Sequence, residues 1–189
     1  MLPALTKRTL SYLGLKGEPD EAQLKMAEEA IAEVKKFARP GFAHRYIELK
    51  RDTGRGIYCD APLDISYSSL QRLFEKGESD SLCILVSTLG GAVDRRISFL
   101  AENSPSKMIL FDAASNAYIE EVTDEFQKRL ELPSRTFRFA PGYGDVPLSM
   151  QREIFDLMPE IKNIGLTLDG SNMMHPMKSM TGLIGFRSR

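Results

Sequence analysis

The chain has no tryptophan, only two cysteines and only two histidines in 189 residues. Cys59 and Cys83 sit far apart, each inside a short apolar run (GIYCDAP and SLCILVS), with no C-x-x-C pair and no matching histidines. This argues against a disulfide-stapled scaffold and reads as two buried free thiols. His44 and His175 stand alone, one in a β-like run and one beside Pro176, so no metal-ligand spacing occurs and no metal is expected. The chain also lacks an excess of positive charge. With 25 Lys and Arg against 26 Asp and Glu it carries a formal net charge of -1, which gives no reason to expect a nucleic-acid partner. No run approaches the roughly 20 apolar residues of a membrane span. The N-terminal stretch MLPALTKRTLSYLGLKGEPD places Lys7 and Arg8 after its first apolar residues, unlike a signal peptide, so a cytoplasmic protein without a membrane partner is expected. G-x-G-x-x-G, G-x-x-x-x-G-K-[ST] and G-x-S-x-G are all missing, which removes the usual sequence arguments for dinucleotides, nucleoside triphosphates and serine hydrolysis.

What remains is an ordinary globular composition, 42% hydrophobic and 27% charged, long enough for one domain with a substantial core. Residues 19–38 carry Leu24, Ala27, Ile31, Val34 and Ala38 at helical spacing behind Pro19, Asp20 and Glu21. GFAHRYIELK and RGIYCDAP, separated by the turn-forming RDTGRG, suggest a β-hairpin. SYSSLQRLFEKG predicts a helix stopped at Gly77. SLCILVSTLGG is a nearly all-apolar strand, expected to be buried on both faces, and it leads into a helical AVDRRISFLAE. A helix over about 112–131 is expected to be the longest after that at 19–38. RTFRFAPGYG reads as a strand ending in a turn, PLSMQREIFDLM as a helix with Pro147 near its first turn, and GLTLDGS and KSMTGLIGF as two closing strands. No repeat, low-complexity tract or linker interrupts the pattern. The expectation is one α+β domain over 1–189, with a mostly antiparallel twisted sheet flanked by helices and a helical N-terminal part over about 1–40.

Several local clusters invite chemistry and read more simply as structure. Gly90-Gly91 after a buried strand makes a plain strand-to-helix turn. SNMMHPMKSM gathers four methionines around His175, as a copper site would, yet such clusters serve more often as adaptable packing. Glu120, Glu121, Asp124 and Glu125 read as a solvated helix face. The most informative stretch is FRFAPGYGDVPLSMQREIF, residues 137–155. Pro141-Gly142 imposes a turn, and Gly142 and Gly144 let backbone N–H and C=O groups approach a ligand closely. Arg138 offers a planar fork to a carboxylate, and Tyr143 offers a flat face or a hydroxyl. Together they suit a zwitterionic or aromatic small molecule. The same residues also make an unremarkable surface turn with Arg138 on the outside.

RFAPGYGDVPLSMQREIFDLM, taken with IGLTLDGSNMMHPMKSMTGLIGF downstream, resembles the activation domain of cobalamin-dependent methionine synthase, including its small stand-alone relatives. The likeness rests on R-x-A-P-G-Y ahead of a helix, and on Gly165, Leu166, Leu168, Ser171, Met174, Pro176, Ser179, Thr181 and Gly182 in the second block. It is most specific over about 135–186. TLGGAVDRRI and DAASNAYIEEVTDEF upstream are similar more loosely. Asp169-Gly170 replaces a Thr-Glu of the long enzymes, and His175 replaces their aromatic residue before the proline.

The resemblance implies a protein that binds S-adenosylmethionine and assists reductive methylation of oxidised cobalamin. Cobalamin would be carried by a separate methionine synthase or other corrinoid protein, and a flavodoxin-type reductant would supply the electron. By resemblance Arg138 would pair with the methionyl carboxylate, while Ala140, Pro141 and Gly142 with Tyr143 would hold the adenosine. Glu120, Glu121, Ser171 and Ser179 are candidates for supporting roles. No side chain is expected to act as acid or base, so the protein would be one part of a methyltransferase system. Two other functions fit the same residues: a docking module for a corrinoid protein that has lost the small ligand, and an activator of a different corrinoid methyltransferase.

Overall fold

The computed structural model describes residues 2–15 and 17–188. The N-terminal part is helical: α1 spans Ala4–Tyr12 and α2 spans Glu21–Phe37. α2 begins with a capping box, in which the Asp20 carboxylate accepts from Gln23 N–H while the Gln23 side chain accepts from Asp20 N–H. Strand β1 (Gly41–Glu48) follows, then the small hairpin of β2 (Lys50–Asp52) and β3 (Gly56–Tyr58). Its turn is closed by Asp52, whose carboxylate accepts the N–H groups of Gly54 and Arg55.

Helix α3 (Ser68–Lys76) ends at Gly77 and leads into β4 (Ser81–Thr88). α4 (Gly91–Asn103) and α5 (Pro105–Arg129) then form the helical layer with α1 and α2. The chain closes with α6 (Met150–Leu157), a 3-10 turn (Pro159–Ile164), the short pair β5 (Thr167–Leu168) and β6 (Met174–His175), and β7 (Ser179–Phe186).

β4 explains its own composition. It is the central strand of an antiparallel sheet of order β1-β4-β7, and its side chains alternate between two apolar clusters. Leu82, Ile84 and Val86 join Leu70, Phe74, Met150, Ile154, Met158 and Ile161 on the face covered by α3, α6 and the 3-10 turn. Cys83 and Leu85 join Leu132, Ile184 and Phe186 on the other. With both faces covered, Leu82–Val86 is apolar throughout, and the buried polar residues at the end of the strand, Ser87 and Thr88, each have a hydrogen-bond partner.

α5 packs against α1, α2 and α4 through a cluster in which its Ala114 and Ala117 meet Leu5, Ala30, Val34 and Val93, and such small side chains let helix axes approach. The Ser115 hydroxyl donates to Phe111 C=O, four residues back, so burial leaves it satisfied. Thr123 does the same with Ile119 C=O and meets Ser87 on β4 at 2.7 Å, tying α5 to the sheet.

Three expectations need correction. The run 41–50 does not pair with 55–62 along its length: β1 pairs with β4, and only 50–52 pairs with 56–58. A strand as buried as β4 must satisfy its backbone on both sides, and β1 and β7 do this. The helix expected at 112–131 begins at Pro105, which fills a first-turn position where its missing N–H costs nothing, and at 25 residues it is longer than α2. The segment 135–139 is not a regular strand. It lies along the outer edge of β7, held by Phe139 and Leu183 exchanging two backbone hydrogen bonds (2.9 and 2.7 Å) and by Thr136 N–H on Gly185 C=O. Among the described residues, no helix is long and apolar enough to cross a membrane.

Candidate functional site

The PGYG turn leaves the edge of β7 at Ala140 and is closed from inside. Gly142 N–H donates to Val146 C=O (2.9 Å), Tyr143 N–H to Ala140 C=O (3.2 Å) and Val146 N–H to Tyr143 C=O (3.0 Å). Gly142 and Gly144 both have positive φ (91° and 57°), the conformation for which the sequence supplies glycine. Asp145 anchors the turn to the start of α3, accepting from the backbone N–H of Ser68 (2.8 Å) and Ser69 (3.1 Å). The Ser69 hydroxyl first, and then these otherwise unpaired N–H donors, hold its carboxyl below the usual range. The N–H of Gly142, where the backbone is expected to approach a ligand, is therefore used by the turn itself, as is that of Tyr143.

α6 follows for a structural reason. Met150 and Ile154 are fully buried under the sheet, and the buried Gln151 accepts a 3.0 Å hydrogen bond from Thr181 on β7. Turn, α6 and β7 are locked into one unit.

Between this unit and α5 lies a cleft of about 350 Å³, lined by Glu120, Asp124, Gln127, Arg138, Ala140, Tyr143, Met180 and Thr181. That volume falls in the range of small-molecule sites, roughly 300–1,000 Å³. Glu120, Asp124 and Gln127 recur at i, i+4 and i+7, which puts all three on one face of α5. Arg138 is 16% exposed at its side chain, and its fork is held at both tips: Nη1 donates to Gln127 Oε1 (2.8 Å) and Nη2 to Asp124 Oδ1 (3.1 Å). Its aliphatic stem lies over Gly182, where a Cβ would come within 2.3 Å of Cγ and 2.4 Å of Cδ. The glycine of the TG pair is thus the floor on which Arg138 rests. Tyr143 is 62% exposed, with its ring edge-on to Phe139 at 6.1 Å.

The acidic side of the cleft is joined from α1. Arg8 Nε lies 3.2 Å from Glu120 Oε2 and Arg8 Nη2 3.2 Å from Asp124 Oδ2, while Tyr12 donates its phenolic hydrogen to Glu120 Oε1. Burial pushes the Tyr12 phenol up to about 12, with the Glu120 hydrogen bond adding to it.

Of the residues expected from sequence, Glu120, Arg138, Ala140 and Tyr143 line the cleft, and Pro141 and Gly142 continue the turn between the last two. Three lie elsewhere. Glu121, one position around the helix, does not line the cleft; burial raises its carboxyl and Lys35 on α2 opposes this. Ser171 is exposed, with its N–H and hydroxyl both on Asp169 Oδ1. The Ser179 hydroxyl donates to Pro176 C=O (2.6 Å) and lies within hydrogen-bonding distance of the Thr88 hydroxyl (2.9 Å), fixing the start of β7. The serines thus hold the loop before β7 rather than the cleft. By sequence pattern Asp124 belongs to a solvated helix face, yet the i, i+4, i+7 spacing from Glu120 is a signal for both Asp124 and Gln127; nothing local marks Arg8 or Tyr12, because no local pattern shows a contact between α1 and α5.

The loop of 169–178 is organised by Asp169. Its carboxylate is held well below the usual range, first by His175 at 3.0 Å, then by the Ser171 hydroxyl and the Met173 N–H. Among the described residues no three His, Cys, Asp or Glu side chains converge as a metal site.

No protein-family model matches the sequence, and no curated protein does. A solved structure, the MetH reactivation domain bound to AdoHcy, is similar with a TM-score of 0.62, covering 96% of this chain and 75% of that one at 16% identity. An α+β arrangement with an antiparallel three-stranded sheet, matched over nearly the whole chain, gives this protein the fold of a methionine synthase reactivation domain.

Proposed function

We propose that the cleft between α5 and the PGYG turn binds S-adenosylmethionine, and that the protein assists the reductive methylation of a corrinoid carried by a separate protein, a methionine synthase. The observation that carries this reading is Arg138, a guanidinium held at the edge of an open cleft that also has two carboxylates and an exposed tyrosine ring. These groups complement the ligand part by part. Arg138 suits the methionyl carboxylate, Glu120 and Asp124 suit the ammonium and sulfonium charges, and Tyr143 suits the adenine face. The reading is further supported by the AdoHcy held by the structural neighbour. In the reaction the sulfonium supplies a methyl group to cobalt reduced by one electron from a flavodoxin-type donor, and the C–S bond electrons stay on the departing thioether. The part left to this chain is positional: to hold the sulfonium at the cleft mouth in one orientation. No side chain of the cleft has to move a proton.

The test is titration calorimetry of S-adenosylmethionine into wild type and Arg138→Ala. Wild type is expected to bind, and the variant to lose about 1.5–3 kcal/mol for a charge-assisted pair. Equal affinity in the two proteins would remove Arg138 from the site. One observation favours a second reading, a docking module without the small ligand: both tips of the Arg138 fork and both carboxylates already have partners within the chain. Absence of binding heat together with capture of a corrinoid protein would establish that reading instead.

A further inference from the structure

The charges around the cleft form a closed set across three segments. Arg8 on α1 bridges Glu120 and Asp124 at 3.2 Å each, and Arg138 shares Asp124 at 3.1 Å. The two carboxylates and two guanidiniums sum to zero. Without Arg8 the same cleft would carry a net negative charge. Arg8 does not line the cleft; it reaches it only through the two carboxylates. The four groups are each partly exposed, with side-chain exposure between 16% and 39%, so they interact in a medium of intermediate polarity.

Lone-pair geometry leaves room for a ligand. A carboxylate accepts at about four positions. Glu120 uses two, for Tyr12 and Arg8, and Asp124 uses two, for Arg8 and Arg138. A cation can therefore approach both carboxylates while Arg8 remains in place. Its attraction to the pair is then opposed by a guanidinium a few ångströms behind them.

We propose that Arg8 is a positioning residue that sets the charge selectivity of the cleft, limiting its preference for the sulfonium ligand over the corresponding thioether. The proposal rests on the S-adenosylmethionine reading above. The two ligands differ chiefly by one methyl group and one positive charge at sulfur, so they report directly on the charge the cleft presents. A cleft held neutral releases the cationic donor and the neutral product with comparable ease. It therefore does not trap the protein with the donor in the absence of a corrinoid partner.

The experiment measures the Kd of S-adenosylmethionine and of S-adenosylhomocysteine, at one pH and two salt concentrations, for wild type, Arg8→Gln, Arg8→Lys and Tyr12→Phe. Arg8→Gln is expected to shift the ratio of the two affinities toward the sulfonium ligand by about tenfold, the scale of one partly screened charge at short range. The shift should shrink in high salt. Arg8→Lys should restore a ratio near the wild-type value. Tyr12→Phe removes the other α1 partner of Glu120 without changing charge, and should move the ratio by less than about twofold. A purely structural role for Arg8 would weaken both ligands alike, and that result overturns the proposal. So does wild-type binding with an unchanged ratio in Arg8→Gln, which leaves the functional reading standing. Wild type that binds neither ligand overturns both.

Discussion

Gly182 is where the architecture of the cleft can be probed without touching any of its polar groups. Its φ is ordinary for a strand, so alanine brings no backbone strain, but the added Cβ would sit 2.3–2.4 Å from the Arg138 stem. At that distance the stem has to leave its groove, and the fork loses Gln127 and Asp124. Hydrogen bonds involving a charged group contribute about 1.5–3 kcal/mol each. With the Asp124 side chain 39% exposed, screening reduces the sum for the pair to about 1–2 kcal/mol. Against this, replacing glycine by alanine restricts the unfolded chain and contributes about 0.4–1 kcal/mol of stability. The net expectation is a loss of about 1 kcal/mol, together with loss of whatever ligand Arg138 holds. In an Arg138→Ala background the clash disappears, and Gly182→Ala should stabilise by about 0.4–1 kcal/mol. Urea denaturation of the four proteins, with constant m values, gives the coupling directly. If Gly182→Ala has the same effect in both backgrounds, the glycine is not the floor of Arg138 and the account of the cleft is wrong.

The loss of S-adenosylmethionine affinity in Arg138→Ala and the shifted ligand ratio in Arg8→Gln are the two binding predictions, each read by calorimetry. Cys83 is fully buried in the centre of the sheet, and burial pushes its thiol up to about 12, while Cys59 is only half-buried. A thiol reagent near neutral pH should therefore label Cys59 first and Cys83 only as the sheet opens; equal rates would contradict the central placement of β4. Asp169 has a folded pKa below its unfolded value, so its contribution to the 169–178 loop is present above about 3.9 and is lost as pH falls below that. The amide proton shifts of Ser171 and Met173 should titrate together with a midpoint well below about 3.9, and an ordinary aspartate midpoint would refute the hub.

Much of the fold was legible because local patterns and burial agree. The helix start at Pro19-Asp20, the helix stop at Gly77 and the nearly all-apolar run of β4 each express a requirement that neighbouring residues meet by themselves. The turn after Arg138 is of the same kind, since Gly142 and Gly144 announce its positive φ values. Strand partnership was less legible. The hairpin signal around RDTGRG is real, yet it extends over only 50–58, and β1 takes the buried neighbour across a long sequence separation instead. The start of α5 was hidden because KMILF reads equally well as strand, and only packing on α1, α2 and α4 decides for helix.

The sequence by itself determined the turn, the arginine before it, the amphipathic helices and the apolar central strand, because each depends on backbone preference or on the period of burial within a few residues. Tertiary structure alone decided what Arg138 faces and what it rests on. Asp124 and Gln127 come from α5, Gly182 from β7 and Arg8 from α1, and no periodicity within any one segment encodes the meeting of the four. Charges act through space rather than along the chain, so the balance that governs this cleft exists only once the helices have packed on the sheet.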